Sequence, residues 1–283
     1  MYTLAKDIDT DLHVYYQLTN FYQNHRIYVA SKSNDQLRGL STVTKESATK
    51  DCGGVKTTSN SSLQLNPCGL IANSFFTDTI TLNAPGHTMS ETGISWPTDK
   101  DKFIQPFKFQ YQKLASCPTP AAATPTLCTS NGLPSTCKFY SEAATGSCYL
   151  FYYPDDASVQ YLYETYPNII SPIQGVTNEH FMVWMRTAAL PTFRKLYGII
   201  KAPLKAGEVL TFTVNPSYEV ASFKGSKGLI ISTVGTFGGK NVYLGAGYIV
   251  VGGLSLLLSC MFIIKYIRSP REIGKRELLT WSQ

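Results

Sequence analysis

Val209-Leu210-Thr211-Phe212-Thr213-Val214 is the stretch that decides the fold class. Leu210, Phe212 and Val214 alternate with Val209, Thr211 and Thr213, which is the two-residue period of a strand with one face buried. Leu229-Ile230-Ile231-Ser232-Thr233-Val234 reads as another strand. Upstream, Phe181-Met182-Val183-Trp184-Met185-Arg186 reads as a buried strand ended by the Leu190-Pro191 turn. Strands separated by loops, without regular intervening helices, favour a mainly β, antiparallel sandwich-like domain over an α/β fold. The 18 Tyr and 14 Phe fit aromatic packing in a sheet-rich domain. Residues 11–30 are aromatic-rich with a mixed or helical pattern, and residues 40–67 form a loop rich in Ser, Thr, Lys and Gly. Residues 112–148 form a cysteine-rich insertion whose Pro, Thr and Ala leave little capacity for a core.

Downstream, the 23 residues from Val242 to Ile264 contain no charge and lie between Lys240 and Lys265. About 20 apolar residues cross a bilayer core, so this run spans a membrane. Tyr243 and Tyr248 lie near one end and Tyr266 at the other, as interfacial aromatics do. Lys265, Arg268, Arg271, Lys275 and Arg276 follow, with only Glu272 and Glu277 against them. This bias places residues 265–283 in the cytosol as a basic tail, with 242–264 in the membrane and 1–241 exoplasmic or luminal. Gly245, Gly252, Ser255 and Ser259 either admit a second helix closely or reflect the usual glycine content of such helices. The whole chain of 283 residues carries a net charge of +6, half of it in this tail. So dilute a charge elsewhere speaks against a nucleic-acid binder, and a mean hydropathy of −0.07 excludes a polytopic membrane protein.

Seven cysteines stand at 52, 68, 117, 128, 137, 148 and 260. Six precede the span, and an even set there suggests disulfides in an oxidising compartment. Cys117, Cys128, Cys137 and Cys148 admit three pairings, among which spacing does not choose. Zinc is the competing explanation, but no C-x-x-C pair or neighbouring His supports it. Asn60-Ser61-Ser62 is the one usable glycosylation sequon, since Pro216 blocks Asn215. The first 30 residues hold no apolar signal segment. A tail-anchored protein of reverse orientation would also lack one, but the charge bias and the cysteines oppose that reading.

No catalytic pattern emerges. His13, His25, His87 and His180 have no metal-binding spacing, and no G-x-S-x-G elbow is present. Gly235-Thr236-Phe237-Gly238-Gly239-Lys240-Asn241 has one residue too few between its glycines for a phosphate loop, and Asn where Ser or Thr must hold magnesium. Asp99 and Asp101, like Asp155 and Asp156, read as solvated loop charges. Arg186 at the end of an apolar run requires a carboxylate or several carbonyls, the part of a structural keystone. No metal, cofactor or enzymatic activity is expected.

Three blocks carry a resemblance. They are Tyr15-Tyr16-Gln17-Leu18-Thr19-Asn20-Phe21-Tyr22-Gln23-Asn24-His25-Arg26, then Pro67-Cys68-Gly69-Leu70-Ile71-Ala72-Asn73-Ser74, then His180 through Tyr197 with its Ala189-Leu190-Pro191-Thr192-Phe193 centre. Together with Ser232-Thr233 and Gly238-Gly239-Lys240-Asn241 before the span, they make the chain similar to the ligand-effect modulator family, also called the cell-division-control protein 50 family. The resemblance implies a non-catalytic β-subunit, in heterodimer with the catalytic α-subunit of a type IV P-type ATPase that moves phospholipids. It implies a role in that partner's assembly, export from the endoplasmic reticulum and activity, at the endoplasmic reticulum, Golgi, endosome or plasma membrane. A single-span receptor or adhesion ectodomain is the alternative that the residues alone would allow. The resemblance further implies a Cys52–Cys68 disulfide and a glycosylated outer domain. Asn60, in a polar loop, is expected to carry a glycan, and Trp184 and Phe193 are expected to supply buried area beneath a rigid docking surface. Cys117, Cys128, Cys137 and Cys148 should pair among themselves, and that segment departs from the family pattern. The family's first span and first cysteine pair are expected ahead of Met1.

Overall fold

The computed structural model describes residues 1–40, 50–58, 63–119, 122–143, 145–154, 157–233 and 242–269. The chain divides into two compact units, Met1–Thr233 and Val234–Gln283.

The first unit is built mostly from sheets. Its strands are β1 (Tyr2–Thr3), β2 (Leu12–Leu18), β3 (Gln64–Asn66), β4 (Thr79–Asn83), β5 (Met89–Ser90) and β6 (Gln110–Lys113). They continue as β7 (Lys138–Glu142), β8 (Ser147–Tyr152), β9 (Val159–Tyr161), β10 (Phe193–Ile200), β11 (Val209–Asn215) and β12 (Lys227–Ser232). A four-stranded sheet has the order β12-β2-β10-β5, and a three-stranded sheet the order β1-β11-β4, all antiparallel. β2 resolves the mixed pattern of residues 11–30. It pairs on both sides, with Tyr16 opposite Lys195 on one and Leu229 on the other. Its Val14, Tyr15, Tyr16 and Leu18 are all buried, so a central strand covered on both faces loses the alternation that would have marked it. The short helix Arg26–Ala30 follows it.

The alternating stretch Val209–Val214 lies in β11, and Leu229–Ser232 of the second expected strand lies in β12. Leu210 is fully buried and Val214 is exposed, so β11 runs from core to surface along its length. Leu4, Leu12, Val14, Ile200, Leu204 and Leu210 form one apolar cluster drawing on both sheets.

Two expectations fail. Phe181–Arg186 is not a strand: Glu179–Met185 is a helix, with Arg186 as its C-cap. Asn178 caps its start by accepting from the Phe181 N–H at 3.1 Å. Phe181, Met182, Trp184 and Met185 are all buried, so apolar residues surround the helix and no 3.6-residue period shows. A short apolar run of this kind does not distinguish helix from strand.

The insertion is also better built than its composition suggests. Gln110–Lys113, Lys138–Glu142 and Ser147–Tyr152 make a three-stranded antiparallel sheet in the order β6-β8-β7. Leu133 and Leu150 pack with Cys128 and Cys137 into a core of their own. Cystine sulfurs supply the apolar volume that Pro, Thr and Ala lack.

The second unit contains a helix from Val242 to Arg268. From Tyr243 to Arg268 it is long and apolar enough to cross a membrane. It continues about one turn beyond the expected end of the span at Ile264, carrying Lys265 and Arg268 in its last turn.

Candidate functional site

The helix Glu179–Met185 is where the three sequence blocks meet. Trp184 is fully buried, and its indole N–H donates to the Ile71 carbonyl at 2.8 Å. Its ring lies near Phe21 at 5.8 Å, Phe75 at 6.4 Å and Phe193 at 6.4 Å between centroids. Phe21 and Phe193 belong to the first and last blocks and Phe75 directly follows the middle one, at edge-on or tilted angles that suit aromatic quadrupoles. Polar ties run beside them. Gln23 accepts from the Ala188 N–H at 2.9 Å, Asn24 donates to the Ala189 carbonyl at 2.9 Å, and the Phe21 N–H donates to the Pro191 carbonyl at 3.0 Å. The middle block holds its turn through Gly69, whose φ is +103°. A Cβ there would stand 2.2 Å from the Ser31 carbonyl oxygen, so only glycine fits.

Each end of the helix meets charge. At the start, the Glu179 carboxylate accepts from the Ser95 N–H and hydroxyl, both at 3.0 Å, and from Lys100 Nζ at 2.8 Å. Burial alone would raise its pKa. Lys100 and the N–H groups of Ser95 and Gly93 outweigh burial and hold it at about 2. At the other end, helix carbonyls lack intrahelical donors. Lys195 reaches them from β10: its Nζ donates to Val183 O at 2.9 Å, Trp184 O at 2.8 Å and Arg186 O. Burial, with the charge of Arg186, draws the Lys195 pKa down to about 7. The three acceptors match the three N–H bonds that only the ammonium form offers.

Arg186 has a different setting from the one expected. It is half exposed, and its Nε donates to the Asp99 carboxylate. Its guanidinium also lies 5.2 Å from the centre of the Trp96 ring. Asp99 is buried and takes Lys102 Nζ at 3.2 Å as well. The Arg186 hydrogen bond holds its carboxyl below the usual range, which corrects the reading of Asp99 as a solvated loop charge. Asp155 and Asp156 lie outside the described residues, as do Asn60 and the Gly235–Asn241 stretch.

Among the expected keystones, Trp184, Arg186 and Phe193 are thus gathered around Lys195, whose Nζ lies 5.6 Å from the Phe193 ring centre. Lys195 is the residue sequence reasoning missed. Phe193, Lys195 and Tyr197 share one face of β10 and all are buried, so strand parity alone would have placed the lysine inward. The cysteines lie apart from this centre. Cys52 is joined to Cys68, Cys117 to Cys148, and Cys128 to Cys137; Cys260 is a free thiol. Beside the first pair, buried Gln36 donates to the Leu65 carbonyl at 3.0 Å and accepts from the Cys68 N–H at 2.7 Å. Among the described residues, no three His, Cys, Asp or Glu side chains gather as a metal site.

This arrangement is a packed, cross-tied core. Residues 1–272 match the model of the LEM3 (ligand-effect modulator 3) family / CDC50 family. ALA-interacting subunit 3 of Arabidopsis thaliana is 35% identical over 289 residues, covering 99% of this chain and 66% of that relative. Cell cycle control protein 50A of Bos taurus is 34% identical, covering 93% of this chain and 66% of its own length. The phospholipid-transporting ATPase accessory subunit CRF1 of Saccharomyces cerevisiae is 29% identical, with shares of 99% and 62%. The chain therefore spans roughly two thirds of the length of these curated relatives. With the family model matched along nearly its whole length, the chain belongs to the LEM3/CDC50 family.

Proposed function

We propose that the chain is a non-catalytic β-subunit of a phospholipid-translocating type IV P-type ATPase. The observation that carries this reading is the family match, joined to a yeast relative named as an accessory subunit of a phospholipid-transporting ATPase. The subunit contributes surface and a membrane helix, while nucleotide and phosphate chemistry belong to the α-subunit. Its work is to favour assembled, export-competent and turnover-competent states of that partner. The cross-tied aromatic centre around Trp184 supports this role, because a docking surface that must hold its shape needs a rigid foundation.

In this reading the Met1–Thr233 unit is exoplasmic or luminal and packs its two main sheets as a sandwich, which the apolar cluster shared between those sheets supports. The helix from Val242 packs beside the membrane bundle of the α-subunit, with the basic tail in the cytosol. Three disulfides in the first unit support that orientation. The test is co-purification. Tagged full-length subunit, extracted in mild detergent, should bring down a stoichiometric type IV P-type ATPase, and its depletion should lower lipid uptake by cells. A subunit that reaches the cell surface alone, with no ATPase attached and no effect on uptake, would favour the receptor reading instead.

A further inference from the structure

Beside the C-terminal end of the Glu179–Met185 helix lies a cleft of about 440 Å³. Lys32, Arg38, Lys102 and Arg186 line it, with Asp99 as the single carboxylate and Asn34 and Thr187 as its uncharged polar residues. Four cations against one anion leave three positive charges in excess. Arg186 and Lys102 share Asp99. Among the described residues, neither Lys32 nor Arg38 has an ion-pair partner. Arg186 meets Asp99 through Nε, and a guanidinium has further N–H groups for a second oxyanion. Leu37, Phe103 and Met185 form the apolar part of the wall, which lowers the local dielectric and strengthens attraction for an incoming anion.

We propose that this cleft is a binding site for a phosphate-bearing small anion. A phosphate group offers several oxygens, so Arg38, Lys32 and the free edge of Arg186 can engage it from different directions, as planar guanidinium groups do with phosphate. A concave site with apolar wall and convergent cations fits a compact headgroup better than an extended acidic peptide. A soluble ester and a lipid headgroup are the two sources of such a phosphate, and the test separates them. This assignment stands on the chain's own residues and does not depend on the ATPase partner.

The full chain in detergent is titrated with inorganic phosphate and with glycerophosphoserine, read by phosphorus NMR line width. In parallel it is reconstituted into nanodiscs of phosphatidylcholine alone, or of equal parts phosphatidylcholine and phosphatidylserine, and read by fluorescence of Trp96, with Trp96→Phe as the assignment control. Saturable binding of the soluble probes, weakened at least tenfold in Lys32→Ala/Arg38→Ala and unchanged in Lys113→Ala, supports the site with a soluble ligand. A fluorescence change only in the phosphatidylserine nanodiscs, lost in the same double variant, supports it with a lipid headgroup. Both variants must keep the wild-type unfolding midpoint, and Arg38→Glu offers a second probe if the double variant does not. Absence of binding in both arms, or binding indifferent to Lys32 and Arg38, overturns the proposal. So does saturable binding of a glutamate-rich peptide where both phosphate probes fail.

Discussion

Lys195 Nζ lies 5.2 Å from the centre of the Trp184 ring and donates a 2.8 Å hydrogen bond to the carbonyl of that same residue. One ammonium thus fixes both the ring and the end of the helix that carries it. Lys195→Met keeps most of the apolar stem but leaves the carbonyls of Val183, Trp184 and Arg186 without this donor. An unsatisfied buried polar group costs about 1–3 kcal/mol, so the loss should exceed that of an ordinary surface change. Urea unfolding followed by tryptophan fluorescence should show a markedly lower midpoint. A midpoint equal to wild type would mean that water replaces the ammonium.

Glu179 makes the fold acid-sensitive. Its carboxyl titrates at about 2 in the folded chain against an ordinary value of 4.5. The unfolded chain therefore binds this proton first as pH falls. The stability it confers is complete above 4.5 and is lost as pH falls toward about 2. Glu179→Gln should flatten that part of the acid-unfolding profile while the neutral-pH midpoint falls. An unchanged slope in the variant would show that Glu179 is not the responsible group.

Trp184 and Arg186 should separate sharply. Trp184→Ala empties a fully buried site and orphans the Ile71 carbonyl, at a cost of about 3–5 kcal/mol. Arg186 is half exposed, and Asp99 keeps Lys102 when it is removed, so Arg186→Ala should cost only about 1 kcal/mol. Trp184→Ala should therefore abolish protease resistance and partner co-purification together, whereas Arg186→Ala should leave the fold resistant. Lys113→Ala, on an exposed strand, should match wild type. Loss of lipid uptake by a fully folded, partner-bound Arg186→Ala would point to a direct role for that side chain.

Topology is tested through Asn60. In a translocated full-length chain, the Asn60-Ser61-Ser62 sequon should carry a glycan. Endoglycosidase should shift the mobility of wild type and leave Asn60→Gln unchanged, while protease added to intact vesicles should reach only the C-terminal tail. A protected tail with an unmodified Asn60 would reverse the orientation.

How much of this was legible in the sequence depends on how each segment meets solvent. Val209–Val214 alternates and lies in a strand, and the apolar run from Leu229 lies in Lys227–Ser232. The helix around Trp184 is unreadable from the sequence because Phe181, Met182, Trp184 and Met185, in a run of only seven residues, are all buried. The sequence pattern places Arg186 in the interior and Asp99 in solvent, whereas Arg186 is half exposed and its partner Asp99 is buried. Charge alone does not show that the Pro97–Lys100 turn tucks Asp99 inward. Lys195 carries a charge that marks surface in most sequences, although its strand parity with buried Phe193 points inward. The pairing of the four insertion cysteines was never in their spacing, since 11, 9 and 11 residues permit every pairing.

The disulfides should report on different bodies of structure. Cys52 and Cys68, 16 residues apart, are both fully buried beside Leu65. Closing a loop of about 15 residues is worth about 3 kcal/mol, and the Gln36 bonds to Leu65 and Cys68 depend on that closed loop. Cys128–Cys137 instead lies in the separate small core with Leu133 and Leu150. Cys128→Ser/Cys137→Ser should therefore speed amide exchange in Lys138–Glu142 and Ser147–Tyr152 while Phe193–Ile200 stays protected. Cys52→Ser/Cys68→Ser should lower the global unfolding midpoint and speed exchange at Gln64–Asn66. Equal loosening of Phe193–Ile200 by the first variant would show that the insertion and the Trp184 centre unfold as one unit, and that the insertion's sheet is not held by its own cystine core.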